Sequence, residues 1–567
     1  MESSKLRVIF LVGVDNPAIR RSVEAVCRLD GVEPLGVILD HEVVSFSRRL
    51  QRLFRRTRGN GWRYPVFKVL EAIAAATTTL VNTAAVSQTE VNRVLREAFP
   101  ERCFSMEDIG KRYGMRIHAV GSLNDAKATC VLKESGADLG VALATGALHD
   151  GALAIPRLGT LTLQEGTLCE AEEVPSGFWE LFEQESSAEV RAGFVRLGAR
   201  IGDVLARSAV AIQESDTPDS LAEKLNEEGS RILASAVALI RDREAVPLRK
   251  ESVDNRPRPE PTRREVILLR KRLPHWRSMG AGSTIVRNLY VLFVYYSGLY
   301  FLTRQWHRLY RSRAAIVLYH RVNDYSKDVL TVDCRTFAAQ LLAMSRHYYF
   351  MSSAEMVDRI RSGKPLRPTT MTIHFDDCYR DILLNGAPIM RACGVPACAF
   401  INSGFIDTNR TFGHDVESPF EFEMLRSGDV QTWVDMGFEV GAHTINHVDL
   451  GKCPVEEAGP EIVECGFELQ KITGKPVDLF AFPFGRPHHI RAATLEIIQT
   501  GNYIANFSAN GGFIDAETDP YDIPRGGAHY ESSAVYCLLQ IEGLTLSRLA
   551  KRFRDAWNRP AQAVVQP

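Results

Sequence analysis

The segment TTMTIHFDDCYRD, residues 369–381, is an apolar, strand-like run that ends in two adjacent carboxylates. Similar runs recur in the second half of the chain, with helix-like stretches between them, at AAIVLYH (314–320), VPACAFIN (395–402), FEVGAH (438–443), LFAFPFG (479–485) and YIANFS (503–508). Successive strand–helix units predict a parallel, barrel-like sheet. Catalytic groups in such folds gather at the carboxyl ends of the strands, where Asp376 and Asp377 are expected to lie.

A pair of histidines follows another of these strands. EVGAHTINHVDL, residues 439–450, places His443 at the strand end and His447 four residues later. Two imidazoles at this spacing can face one point if a helical turn separates them, and a carboxylate would complete a set that binds zinc and related ions. Each pair alone is also typical of ordinary structural residues. Their joint occurrence favours a metal centre in which one Asp binds the ion and the other accepts a proton.

Three further segments carry candidate site residues. AAIVLYHRV (314–322) delivers His320 and Arg321, and YDIPRGGAH (521–529) contains Arg525 and His529. Taken singly, each of these pairs is more often structural than functional. LFAFPFGRP (479–487) is compatible with an aromatic groove wall or with a strand that simply ends in a turn.

Taken together and in this order, the segments resemble the polysaccharide deacetylase family, the carbohydrate esterases that N-deacetylate chitin, peptidoglycan and exopolysaccharides. The resemblance runs from about residue 314 to about residue 529 and implies a distorted (β/α) barrel. It implies a divalent metal ion, with zinc as the first expectation, bound by Asp377, His443 and His447. It also implies that Asp376 is the general base. The opening LYHRV is similar to the circularly permuted branch of the family, which assigns the catalytic acid to His320, and Arg525 matches an arginine that orients the base.

Three positions depart from the family pattern. The usual T-F-D-D-G reads H-F-D-D-C here, with His374 and Cys378 at the changed positions. Loss of the glycine bears on the geometry of the turn beside the metal, and a thiol at Cys378 could contact the ion or be a buried, inert cysteine. An arginine that some members carry before the proline motif is replaced by Ala481.

The first part of the chain also alternates strands and helices. KLRVIFLVGV (5–14) and VEPLGVILD (32–40) are apolar strand candidates on either side of the helix-like AIRRSVEAVCRLDG (18–31). This alternation predicts a parallel sheet covered by helices on both faces. No G-x-G-x-x-G follows the first strand, so a dinucleotide-binding dehydrogenase is poorly supported.

Two later segments of this region, residues 115–166 and 198–225, resemble the formyltransferase fold of methionyl-tRNA and sugar-nucleotide formyltransferases. The resemblance implies a Rossmann-type parallel sheet and a formyl transfer that depends on an Asn, a His and an Asp. The matching positions hold Thr162, Gln164 and Arg200, so none of the three chemical groups is present. We therefore expect a formyltransferase-like domain without formyl transfer activity.

Composition and charge set the wider limits. The 567 residues divide at a Pro-rich, charged stretch into a domain at 1–242, a linker at 243–265, a helical connector at 266–313 and a deacetylase domain at 314–557. The net charge of -1 does not suggest a nucleic-acid-binding protein. The 11 unpatterned cysteines favour a reducing compartment, and a cytoplasmic protein is expected. The oligomeric state is left open.

Residues 289–303, LYVLFVYYSGLYFLT, are uncharged and lie between Arg287 and Arg304. The run is short for a membrane-spanning helix, which needs roughly 20 apolar residues. It favours a buried helix packed on the second domain, with peripheral membrane contact through residues 285–304 as the alternative.

The leading hypothesis is a metal-dependent hydrolase that removes N-acetyl groups from an amino-sugar-containing glycan or glycan precursor. One alternative is a non-catalytic carbohydrate-binding or scaffolding protein with two degenerate domains. Another is a bifunctional enzyme whose first domain still transfers a formyl group.

Overall fold

The computed structural model describes residues 5–40, 63–145, 148–169, 174–195, 201–244, 258–273, 281–310, 314–326, 328–527 and 533–545. These residues form two units. The first takes in the chain up to Lys68, then Glu101–Ser278 and Glu417–Phe420. The second takes in Val69–Pro100, Met279–Val416 and the chain from Glu421 onward. Each unit is built around its own sheet.

The sheet of the first unit has the strand order β3-β2-β1-β4-β5-β6-β7. Neighbouring strands are parallel from β3 to β5, and β6 and β7 continue the sheet in antiparallel pairing. Its strands are β1 (Leu6–Val12), β2 (Val32–Asp40), β3 (Arg116–Val120), β4 (Leu139–Leu143), β5 (Thr160–Glu165), β6 (Ser187–Phe194) and β7 (Val204–Ala211). All five residues of β4 are buried, as expected for a strand covered on both faces.

Helices on this sheet begin at well-formed caps. Asn16 accepts a hydrogen bond from the backbone N–H of Ile19, and Pro17 occupies the first turn of the first helix, where its missing N–H costs nothing. The helices are α1 (Pro17–Cys27), α2 (Arg63–Ala84, in the second unit from Val69 on), α3 (Gln88–Ala98, in the second unit), α4 (Met106–Tyr113), α5 (Ala126–Ser135), α6 (Asp150–Leu153), α7 (Phe178–Glu183), α8 (Pro218–Arg241) and α9 (Arg263–Arg272).

The sheet of the second unit is parallel and has the order β17-β16-β15-β14-β13-β12-β8-β18, with β11 beside β12 and a separate β9–β10 pair. The last two strands in sequence pair with opposite ends of this order and are separated by Arg525 alone, so the segment 523–527 closes the sheet into a barrel. The strands are β8 (Ala315–Tyr319), β9 (Arg321–Val322), β10 (Thr331–Val332), β11 (Tyr349–Phe350), β12 (Thr370–Asp376), β13 (Ala397–Ile401), β14 (Glu439–Ala442), β15 (Leu479–Ala481), β16 (Ala505–Ser508), β17 (Ile523–Pro524) and β18 (Gly526–Gly527).

Helices of this second unit follow its strands in alternation. They are α10 (Ala281–Tyr296), α11 (Leu299–Tyr310), α12 (Cys334–Ser345), α13 (Ser353–Arg361), α14 (Ala387–Cys393), α15 (Ser427–Asp435), α16 (Val455–Thr473), α17 (Ala492–Thr500) and α18 (Ala534–Ile541). The predicted α/β class is confirmed in both units, with a Rossmann-type sheet in the first and a parallel, barrel-like sheet in the second.

The units differ from the expected domain boundaries in three segments, which are Val69–Pro100, the short segment Glu417–Phe420 and the connector, divided between the units after Ser278. The segment Val69–Pro100 belongs to the second unit although the sequence placed it in the first domain. Helix α3 buries Val91, Val94 and Leu95 and packs against α12 and α14. Arg335 of α12 donates hydrogen bonds to Gln88 and Asn92, at 3.0 and 2.7 Å. Burial of this apolar face therefore decides where the segment packs.

Parts of the expected linker and connector also belong to one or the other of the two units. Residues 245–257, 274–280 and 311–313 lie outside the described residues. Helix α9 packs with α7 in the core of the first unit, through Leu269. Helices α10 and α11 belong to the second unit, so the connector is shared between the two. In the part of the chain that is described, no single helix has the length and apolar character to cross a membrane; one bent pair, Gly282–Tyr296 with Leu299–Leu309, meets that test jointly, at an angle of 56°.

Candidate metal centre and active site

A turn at the end of β12 brings the two adjacent carboxylates together. Asp376 is the last residue of the strand, and Asp377 has a φ of 73°, in the left-handed region that residues with a side chain seldom adopt. The reversal allows both side chains to approach His443 Nε2, which lies 3.9 Å from an oxygen of each carboxylate. No positive φ falls on Cys378, so the loss of the family's glycine leaves no left-handed strain at that position.

Asp377, His443 and His447 form a group of possible metal ligands. One ligand atom from each lies within 4.8 Å of the other two. The distance from His447 Nε2 to Asp377 Oδ1 is 3.3 Å. The residues between the histidines make bends rather than the expected helical turn, and positive φ angles at Thr444 (64°) and His447 (56°) bring the second imidazole back to the first.

Hydrogen bonding leaves this group ready to bind a cation. The Nδ1 atom of His443 donates to the carbonyl oxygen of Ala481 at 2.8 Å, which fixes the tautomer and leaves the Nε2 lone pair available. Burial lowers the pKa of His443 to about 3 and that of His447 to about 4, so both imidazoles are neutral near pH 7, as metal binding requires. Neither oxygen of buried Asp377 has a hydrogen-bond partner among the described residues. Burial raises the pKa of this carboxyl and outweighs the charges of His320, His414 and Arg321, which act in the opposite direction.

Asp376 is held differently from Asp377. Arg525, on the segment that closes the barrel, donates from Nη1 and Nη2 to the two oxygens of Asp376 at 2.6 and 2.8 Å. The same guanidinium donates from Nε to the carbonyl oxygen of Ser508. Burial by itself would raise the pKa of Asp376, but the charges of Arg525 and His443 and the hydrogen bonds from Arg525 together outweigh it and lower the pKa to about 2. Asp376 is therefore ionised and fixed in orientation.

His320 lies between β8 and β9, near both carboxylates. Burial lowers its pKa, while the charges of Asp377 and Asp376 act in the opposite direction. The next residue, Arg321, is buried and serves a different contact, donating to Asp415 at 2.7 Å. Of the residues predicted for the site, the structure thus brings together Asp376, Asp377, His320, His443, His447 and Arg525; His529 lies outside the described residues.

A second layer of polar residues was not found from the sequence. Tyr379 Oη donates to Asp415 at 2.5 Å and lies 2.8 Å from His414 Nε2. His414 Nε2 is 3.9 Å from Asp377 Oδ2, so a third imidazole borders the centre. The only available signal was GHD at 413–415, which the sequence places in a loop with no periodic pattern.

Aromatic side chains border the centre on one side. In LFAFPFG, Phe480 and Phe482 are buried, whereas Phe484 is exposed and has its ring centroid 4.7 Å from that of His447. Phe412 contacts the other side of His447 at 5.4 Å. An exposed ring beside a candidate metal ligand can pack against the apolar face of a sugar, as the groove-wall interpretation requires.

The two departures beside the carboxylates are buried. His374 lies inside the barrel between the rings of Phe400 and Phe507, and its Nε2 is 2.9 Å from Ser353 Oγ. Burial lowers its pKa well below the usual value, so it is a neutral core residue. Burial raises the pKa of the Cys378 thiol, which favours the inert alternative.

In the first unit, Thr162 and Gln164 lie on β5. The Thr162 hydroxyl donates to the carbonyl oxygen of Ala142 at 3.0 Å. The Gln164 amide donates to the carbonyl oxygen of Gly166 at 3.3 Å. Arg200 lies outside the described residues. Both described side chains thus donate hydrogen bonds to nearby backbone carbonyl groups.

Comparison with known proteins bears mainly on the second unit. Residues 363–503 match the family described as polysaccharide deacetylase. No curated protein matches the chain. Similar solved structures include Streptococcus pyogenes deacetylase PplD in complex with acetate (21% identity, 41% of this chain and 98% of that chain, TM-score 0.36). IcaB from Ammonifex degensii shares 19% identity over 40% of this chain and 97% of its own, with a TM-score of 0.35.

A phosphoribosylglycinamide formyltransferase from Anaplasma phagocytophilum is also similar, at 15% identity over 42% of this chain and 88% of its own, with a TM-score of 0.27.

The family match confirms that the chain carries a polysaccharide deacetylase domain, and with it the predicted class of enzyme, a carbohydrate deacetylase.

Proposed function

We propose that this protein is a metal-dependent hydrolase that removes N-acetyl groups from an amino-sugar-containing glycan or glycan precursor. The observation that carries the proposal is Asp377, a buried carboxylate without a hydrogen-bond partner among the described residues, beside two histidine Nε2 atoms. A buried charge in this state is costly unless an opposite charge joins it. The deacetylase family match supplies the reaction class.

The donor set fits a divalent cation. It contains one carboxylate and two neutral imidazoles, the ligand types that zinc, cobalt, nickel and iron all accept, and three protein ligands leave room for substrate. Zinc is our first expectation. A bound divalent ion would supply Lewis-acid polarisation of the acetyl carbonyl.

The remaining residues divide the proton transfers. Asp376 accepts a proton from the water that attacks the acetyl carbonyl carbon, and Arg525 keeps the accepting oxygens ionised and aligned. As the carbon–nitrogen bond breaks, His320 donates a proton to the leaving amine. The products are acetate and the ammonium form of the amino sugar, and atoms and charge balance once Asp376 releases its proton to solvent and His320 takes one up. Phe484 offers a ring for the sugar beside this centre.

The test combines metal content with acetate release from N-acetylated glycans and sugar nucleotides. Asp376→Asn preserves shape and removes the proton acceptor, so kcat should fall by about 10²- to 10⁴-fold while the bound metal stays stoichiometric. Asp435→Asn, at the exposed last residue of helix α15, is the matched control and should change neither quantity. Metal-free protein with full activity would refute the proposal. Stoichiometric glycan binding without metal or turnover would favour a carbohydrate-binding protein instead.

A further inference from the structure

Two helices of the second unit each have two apolar faces. In α10, Asn288, Val291 and Val294 are buried against the unit, and Asn288 donates to the hydroxyls of Thr77 and Thr78. On α11, Tyr300 is buried, and Arg304 and His307 reach inward to the carbonyl oxygen of His347 and to Glu542. The buried side chains and hydrogen bonds of these inner faces hold both helices against the second unit.

The opposite faces are apolar and exposed. Spacings of three and four residues place them on one stripe per helix. Phe293, Leu302 and Leu309 are 68%, 69% and 66% exposed. The stripe residues, which we call the outer stripe, are Val286, Leu289, Phe293 and Tyr296 on α10 and Leu299, Leu302, Trp306 and Leu309 on α11. Large apolar side chains exposed in a row along each of two adjacent helices are typical of an interaction surface.

The charge around the outer stripe selects the kind of partner. No Asp or Glu occurs between Glu265 and Asp324, and the described helices α10 and α11 contain three arginines, of which Arg304 reaches inward. Arg308 is exposed next to the stripe. Tyr296 and Trp306 are residue types that concentrate at the boundary between lipid headgroups and acyl chains. An acid-free, arginine-bearing apolar face complements an anionic lipid surface.

The helix lengths favour lying on a membrane over crossing it. Sixteen residues in α10 and twelve in α11 give helices of roughly 24 and 18 Å, each shorter than a hydrocarbon core of about 30 Å. Both inner faces are also committed to the unit through hydrogen-bonded polar residues. We propose that the outer stripe docks the deacetylase unit peripherally on an anionic lipid membrane.

The experiment is co-sedimentation of the full-length protein with vesicles. Vesicles of phosphatidylcholine mixed with phosphatidylglycerol should bind the protein more strongly than phosphatidylcholine alone, and high salt should weaken the difference. The triple variant Phe293→Ser, Leu302→Ser, Leu309→Ser should lower the partition coefficient on anionic vesicles by about tenfold or more. Phe467→Ser, an exposed phenylalanine on α16, is the matched control and should leave binding unchanged.

The outcomes separate the alternatives. Because the three side chains are largely exposed, the variant should keep its far-UV circular dichroism and its metal content. Equal vesicle binding by wild type and triple variant would overturn the proposal. Sedimentation equilibrium without lipid that shows a dimer lost in the triple variant would assign the stripe to a second copy of the chain and would also overturn it. Resistance of wild type to alkaline carbonate extraction would indicate an inserted helix pair in place of peripheral docking.

Discussion

Strands β12 and β5 both end in a residue with a carboxyl group, and the pKa values of the two carboxyls are shifted in opposite directions. Asp376 has a two-pronged arginine partner, and its pKa falls to about 2 despite burial. Glu165 ends β5, and burial raises its pKa to about 7; the charge of Arg21 lowers the pKa only in part, and the charge of Glu223 raises it further. The carboxyl at the end of β12 is therefore ionised near pH 7, whereas the carboxyl at the end of β5 is partly neutral.

The neighbours of these carboxyls differ in the same way. Beside Asp376, Asp377 and His443 direct unshared ligand atoms toward one point. Beside Glu165, the Thr162 hydroxyl and the Gln164 amide donate to nearby backbone carbonyls, and the Gln164 Oε1 atom stays unpaired among described residues. Several unsatisfied atoms that converge on one point indicate a ligand, whereas a single unpaired amide oxygen among hydrogen-bonded groups indicates structure.

The largest effect should come from Asp377→Ala. Removing the only carboxylate of the ligand group should abolish stoichiometric metal binding and lower kcat/KM on the order of 10³-fold or more. Elemental analysis and acetate release measure the two quantities. Metal retained at full occupancy would show that the ion binds elsewhere and that the end of β12 does not differ from the end of β5 in binding a metal.

A smaller loss is expected for His320→Ala. If this imidazole protonates the leaving amine, kcat should fall by about 10²-fold while metal content stays unchanged, because His320 is outside the ligand group. His118→Ala, on β3 of the first unit, serves as the control. Unchanged kcat for His320→Ala would reassign the acid, and His414 would be the next residue to test.

The stability of the first unit should depend on Glu165. Its folded pKa is raised, so between its ordinary value near 4.5 and about 7 the native state binds more protons than the unfolded chain. Stability should therefore fall as pH rises through that window and level off above it. Relative to wild type, Glu165→Gln should be stabilised by about 1–2 kcal/mol more at pH 8 than at pH 5, allowing for solvent screening.

Thermal unfolding of the full-length protein at both pH values measures this difference. Exposed Glu33 on β2 gives the control Glu33→Gln, which should show equal effects at both pH values. A pH-independent effect for Glu165→Gln would mean that the carboxyl is charged in the folded state, and the contrast with Asp376 would disappear.

The smallest expected signal is formyl transfer, which should be absent. Thr162 lacks an amide donor, and Gln164 cannot exchange a proton near neutral pH as a histidine does. Incubation with 10-formyltetrahydrofolate and an amino sugar should release no tetrahydrofolate above the rate without protein. A rate that Gln164→Ala abolishes would restore the bifunctional alternative.

Much of the second unit could be predicted because its signals are local. Each of the β12, β14 and β15 segments is a short apolar run, and the residues at their ends follow within a few positions. The convergence of His443 and His447 was anticipated, but by a helical turn. The chain uses left-handed angles at Thr444 and His447, which no residue type in the segment indicates.

Contacts between residues distant in sequence could not be predicted. The His414–Tyr379–Asp415 group joins a loop to a turn 35 residues earlier. Membership of Val69–Pro100 in the second unit depends on an apolar face of α3 whose partner helices lie more than 200 residues away. Periodicity shows that such a face exists but not which surface covers it.

By itself, the sequence determined the α/β class of both regions, the identity of the carboxylates and imidazoles, and the presence of Thr162 and Gln164 where the resemblance to formyltransferases implies an Asn and a His. The tertiary structure decided which of those groups share one site and in what ionisation state. Arg525 reaches Asp376 across 149 residues, since the barrel closes through the segment that holds it. Ionisation depends on burial and on neighbouring charge, and both are properties of the folded arrangement.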